Sequence, residues 1–221
     1  MKKIPTAPLN VVYVQIKKKL YDSKKFPSGI ILYKDTSFHP EEASMIEATV
    51  VSLPRAIQER FDYAGMYVDA GGPLQVGSTV LMRYDVVFHY FNQPERDTPI
   101  YKNVLLYEGE EYWRVDIQQI FAVLRKGSVE MINGYVMVDP VTEQVNFNSF
   151  HAATHFATRI LNDQYAIRYI GHPLEHEPAL NLRTGDRVHV RPGIAQHYET
   201  DWSDFHIIKQ SQILAKVENL S

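Results

Sequence analysis

The stretch FHIIKQSQILAKVEN, Phe205–Asn219, decides how this chain is read, because YWRVDIQQIFAVLRK, Tyr112–Lys126, repeats it column by column. Gln119 falls on Gln212, Ile120 on Ile213 and Ala122 on Ala215; Tyr112, Val115 and Phe121 meet Phe205, Ile208 and Leu214. In each copy the first five residues read as a strand, the glutamine pair as a corner, and the apolar run after it as a closing strand. Three further landmarks recur in the same order. LNVVYVQIKK (Leu9–Lys18) pairs with INGYVMVDPV (Ile132–Val141), EATVVSLP (Glu47–Pro54) with YAIRYIGHP (Tyr165–Pro173), and LQVGSTVLMR (Leu74–Arg83) with NLRTGDRVHV (Asn181–Val190). Self-similarity kept in order marks a tandem duplication, with units over residues 9–126 and 131–219 joined by KGSVEMIN.

Most other segments also read as strands. GIILYK, TVLMRYDVVFHYF and NVLLYEG are rich in β-branched and aromatic residues, and Gly, Pro, Asp and Asn punctuate them at short intervals. An all-β chain of barrels or sandwiches follows. Gly77 and Gly185 sit where a tight turn feeds a strand. After Gly185, Val188 and Val190 alternate with His189 on one face. Two short helical decorations are expected, over Pro54–Gly65 and over Phe150–Leu161.

The chain has 221 residues, a net charge of -3 and no cysteine. The charge gives no global field for nucleic acid or an acidic membrane. The missing cysteines exclude disulfides, thiolate metal sites and thiol nucleophiles, and fit a reducing compartment. MKKIPTAPLN lacks the apolar core of a secretory signal, and no apolar run reaches membrane-spanning length, so a cytoplasmic location is expected.

The order of these landmarks resembles the GroES-type co-chaperonin (chaperonin-10-like) family. LRTGDRVHV and SQILAKVEN resemble the glycine turn and the closing strand of that family, LQVGSTVLM and QQIFAVLRK match them in the first unit, and SGIIL at Ser28–Leu32 stands where the family carries its chaperonin-binding tripeptide. The resemblance implies two tandem GroES-like irregular β-barrels and a non-enzymatic protein that caps or modulates a chaperonin ring. No cofactor and no metal are expected. Ser78 departs from the aspartate usual in the family, and the second unit has no equivalent of SGIIL. A GroES-fold assembly protein without chaperonin activity is the alternative reading.

The resemblance makes Gly29, Ile30, Ile31 and Leu32 the anchor of a mobile loop, KKKLYDSKKFPSGIILYKD, that orders on a partner groove. The same letters also read as a core strand behind a solvated lysine loop. The family's way of assembling implies that IFAVL meets NGYVMV within the chain. It would leave NVVYVQI and ILAKVE as open edges through which the chain closes into a homo-oligomer. Two His-x-x-x-His pairs, His151/His155 and His172/His176, have helical zinc-binding spacing, but Pro173 opposes a helix at the second and neither has a third ligand in family spacing. Some medium-chain dehydrogenases carry a GroES-type barrel, yet DAGGPLQVG is not a dinucleotide-binding turn.

Overall fold

A computed structural model describes residues 4–16, 23–25, 28–33, 46–55, 74–86, 103–126, 128–147, 155–171, 181–200 and 202–217. These are mostly strand, in two antiparallel sheets. The chain divides into two compact units, Met1–Asn133 with Tyr198–Asp204, and Gly134–His197 with Phe205–Ser221.

The first unit holds β1 (Val11–Gln15), β4 (Glu47–Ser52), β5 (Thr79–Met82), β6 (Val104–Tyr107), β7 (Glu110–Asp116), β8 (Ile120–Arg125) and β9 (Ser128–Met131). Their order in the sheet is β6-β7-β1-β4-β5-β8-β9. A separate two-stranded hairpin joins β2 (Ser23–Lys25) to β3 (Ile31–Tyr33). Valines 12, 14, 50 and 80, with Met82, Trp113, Ile117 and Ile120, fill the core. The alternation of strand side chains puts Val12 and Val14 on one face, which fixes the register, because a one-residue slip would turn them to the other side.

The second sheet holds β10 (Tyr135–Phe147), β11 (His155–Ile170), β12 (Arg187–Val190), β13 (Gln196–Glu199), β14 (Asp204–Lys209) and β15 (Ile213–Val217), of which Tyr198, Glu199 and Asp204 count with the first unit. Its order is β13-β14-β10-β11-β12-β15. Val136, Val138, Tyr165, Ile167, Val188, Val190, Ile208 and Ile213 form its core.

The pairings of the two sheets correspond in detail. β1 meets β4 through Tyr13–Ser52, Val14–Val50 and Gln15–Thr49, with a register slip between Tyr13 and Val14. β10 meets β11 through Met137–Tyr169, Val138–Ile167 and Asp139–Ala166, with the slip between Met137 and Val138. Further along, β5 and β8 slip between Leu81 and Met82, and β12 and β15 slip between His189 and Val190. A slip of this kind bends and twists a strand locally, so its recurrence gives both sheets the same curvature points. The glycine turns match as well. Gly77 N donates to Val50 O at 2.7 Å and Gly185 N to Ile167 O at 2.8 Å. Both glycines have φ near +90° with nothing within 4 Å of an added Cβ, so the backbone angle alone demands glycine.

The corners match too. Ile117–Gln119 and Gln210–Gln212 are 3-10 turns in which a glutamine side chain accepts the N–H three residues back: Asp116 N to Gln119 Oε1 at 3.1 Å, and Lys209 N to Gln212 Oε1 at 2.7 Å. Ile117 N donates to Asn10 O at 2.9 Å, and Gln210 N donates to Gly134 O at 2.8 Å. These bonds correct the alignment of the first landmark: Val11 corresponds to Tyr135. Asn133 (φ 56°) and Gly134 (φ 67°) stand where the first unit has Asn10 (φ 56°) alone.

Other expectations change. Among the described residues no closed barrel forms; each sheet is open, and in the first unit β9 folds back on β8 through Ala122–Met131 to Arg125–Ser128 and occupies one edge. Among the described residues β8 pairs with β5 and β9, and β10 with β11 and β14, so the expected pairing of IFAVL with NGYVMV is not among the strand pairings. NVVYVQI is not an edge, since β1 lies between β7 and β4. ILAKV is one: among the described residues β15 pairs with β12 alone. The helix expected over Phe150–Leu161 is strand from His155 onward, where β11 pairs with Thr142–Phe147. Cross-strand pairing overrides a moderate helix propensity. Of the pair His151/His155, His155 is on this strand and His151 lies outside the described residues. Beyond Pro54 and Arg55, the helix expected over Pro54–Gly65 lies outside the described residues, as does the pair His172/His176.

Asn133 is 2% exposed, and its Nδ2 donates to Ile117 O at 2.8 Å and Ile120 O at 3.0 Å. Asn133→Ala takes the donor from both carbonyls, and should lower unfolding free energy by about 2 to 3 kcal/mol in denaturant titrations. A loss within experimental error would mean that the corner is held by other means.

Candidate functional site

The anchor residues fall on the β2–β3 hairpin, where Ser23 pairs with Tyr33, Lys24 with Leu32 and Lys25 with Ile31. The chain enters β3 through Gly29, whose φ of +86° lets it turn where an L-residue would be strained. Ile30 is 65% exposed, Ile31 48% and Tyr33 76%. The side chain of Leu32 and the backbone of residues 17–22 and 26–27 lie outside the described residues. Ile30, Ile31 and Tyr33 thus stand in water on a hairpin that belongs to neither large sheet. A core strand would have buried them.

The second unit has a hairpin in the corresponding place. There β10 and β11 continue past the sheet as a pair, from Thr142–Ile160 to Phe147–His155. Ile160 is exposed on it.

A second group of side chains was missed in the sequence. His206 on β14 lies with its ring 5.1 Å from that of His197 and 5.6 Å from that of Tyr165. The turn between β13 and β14 closes with Thr200 N donating to Ser203 O at 3.0 Å, which sets His197 opposite His206. His206 Nδ1 is buried and has no hydrogen-bond partner among the described residues. Burial pushes the His206 pKa below its usual value, the neighbouring His197 adds to this, and Asp139 opposes it. Burial raises the Tyr165 phenol, helped by the charge of Asp163. Arg168 engages Asp139 through both ends of its guanidinium, Nε to Oδ2 at 2.8 Å and Nη2 to Oδ1. The only signal in the sequence was the column in which Trp113 stands over His206.

At the glycine turn of the same unit, Asp186 accepts Arg183 N at 2.7 Å and meets Lys216 Nζ at 2.7 Å. The hydrogen bond from Lys216 holds its carboxyl below the usual carboxylate range. This aspartate ties the turn to β15, a bond that Ser78 does not offer the first unit.

Among the described residues, no group of three or more His, Asp or Glu converges as a metal set, and no helix is long and apolar enough to cross a membrane. No protein-family model matches the chain, and no curated protein matches it.

The depressed His206 pKa sets a direction for pH dependence. Between its folded pKa and the usual 6.5, the unfolded chain binds the proton and the folded one does not, so stability rises with pH. Denaturation midpoints should therefore fall as pH drops below 6.5, and His206→Phe should flatten that part of the profile. An unchanged slope in the variant would assign the effect to other groups.

Proposed function

We propose that this chain is a non-enzymatic, co-chaperonin-like protein built from two tandem GroES-like units, which caps or modulates a chaperonin ring through the β2–β3 hairpin. The exposure of Ile30 and Ile31 beside Gly29 carries this reading. Apolar side chains presented on a small hairpin suit a partner groove. An isolated two-stranded hairpin is marginal in water, so ordering it costs free energy and keeps the binding reversible. The matching strand order, slips and corners of the two sheets support duplication of one unit. The ATPase chemistry belongs to the ring, and this chain needs no catalytic group of its own.

The second reading, a structural assembly protein that has kept the fold without chaperonin binding, draws on β15. That strand leaves one edge unpaired among the described residues, and Leu214 on it is 58% exposed. Unpaired edges recruit strands from other chains. Self-association and ring binding are compatible, so the hairpin decides between the two readings.

Co-migration of the chain with a chaperonin ring, with and without nucleotide, tests the first reading. Ile31→Ser should weaken binding by about 1 to 3 kcal/mol, the scale of a buried aliphatic contact, and leave the melting temperature unchanged because Ile31 is exposed in the free protein. A wild-type chain that never co-migrates, or an Ile31→Ser variant that binds as well as wild type, overturns it in favour of the assembly reading.

A further inference from the structure

The two sheets share a frame but are filled differently at one place. In the first unit, Trp113 faces Val14 across β7 and β1, Val104 faces Trp113 across β6 and β7, and Ala48 faces Val80 across β4 and β5. Trp113 and Ala48 belong to the apolar core, and Val104 packs against it. In the second unit, His206 faces Val138 as Trp113 faces Val14, and Tyr165 faces Val188 as Ala48 faces Val80. His197 lies on β13 beside β14, as Val104 lies on β6 beside β7. Tyr165 stays within the apolar core of its unit, but the two other positions, apolar in the first unit, carry imidazoles in the second.

We propose that His197 and His206 form a two-imidazole site for a divalent first-row transition ion, Zn2+, Ni2+ or Cu2+. The ring geometry suits it. A metal–nitrogen bond of about 2.0 Å and the ring's own radius place each centroid about 3.2 Å from the ion, so two imidazoles at a tetrahedral angle stand about 5 Å apart. The observed separation is 5.1 Å, with the planes tilted by 49°. Neutral imidazole is the ligating form, and an ordinary imidazole is largely neutral above pH of about 7. Nearby charges do not compete as ligands. Asp139 is occupied by Arg168, and Asp163 lies 3.5 Å from His189. The Tyr165 ring, 5.6 Å from that of His206, walls the site. Solvent fills the remaining coordination positions. A nitrogen pair without carboxylates selects these ions over Mg2+ and Ca2+, which take oxygen.

Calorimetric titration of the full chain with Ni2+ and Zn2+ at about pH 7.5, where imidazole is neutral, tests the site. His197→Val and His206→Phe restore the chemistry of the first unit, and His189→Gln is the control. The wild type should show a one-to-one component whose affinity falls about tenfold or more in either variant, with His189→Gln unaffected. Ni2+ should raise the melting temperature of the wild type and leave that of His197→Val unmoved. His197 is exposed, so that variant keeps the test decisive if His206→Phe folds poorly. The site is ruled out by a wild type that binds neither ion, by a double variant that keeps the wild-type stoichiometry and affinity, or by an equal loss in His189→Gln.

Discussion

Ile117 has both of its backbone polar groups committed to residues far away in sequence. Its N–H donates to the carbonyl of Asn10, and its carbonyl accepts from the side chain of Asn133. The chain must reverse between β7 and β8 at this point, and a buried reversal needs every backbone group answered. Both asparagines take the left-handed conformation, which asparagine tolerates better than most residues. The corner therefore gathers the segment before β1, the turn after β7 and the segment before β10. The order of strands on either side of β1 depends on it.

Much of this frame was legible in the sequence because it rests on local chemistry. The glutamine of each corner, the glycine of each turn and the alternating valines are read from residue type and spacing. The finer alignment was not legible, since the extra residue at Asn133–Gly134 changes no hydrophobic pattern. The strand in β11 was missed for a related reason. THFATRIL has acceptable helix formers, and only its long-range partners, Thr142–Phe147, decide for β. The edge positions of β1 and β8 depend on which strands meet in space. β9, a short and unremarkable SVEM, changed that outcome by folding back on β8.

The proposed anchor and the proposed histidine site differ in how far the sequence could disclose them. SGIIL is a contiguous string, so its place in the chain could be picked out by eye, and the structure adds that Ile30 and Ile31 are exposed. His197, His206 and Tyr165 come from three strands, and none is unusual alone. They become informative when set against Val104, Trp113 and Ala48, which hold the corresponding places in the other sheet. A repeated frame thus supplies its own reference state: differences at matched positions separate what the fold requires from what one copy has added.

The first compact unit is not contiguous in the chain. Tyr198–Asp204 belongs to it, with the Tyr198 ring edge-on to Phe121 at 5.1 Å and Trp202 Nε1 donating to Glu47 Oε1 at 2.6 Å across 155 positions of sequence. During synthesis on the ribosome, the aromatic face around Phe121 emerges long before the residues that complete it. Folding of that unit cannot finish as its own strands appear. It must wait until Tyr198–Asp204 has been made, and in that interval an apolar surface stays open to chaperones and to aggregation.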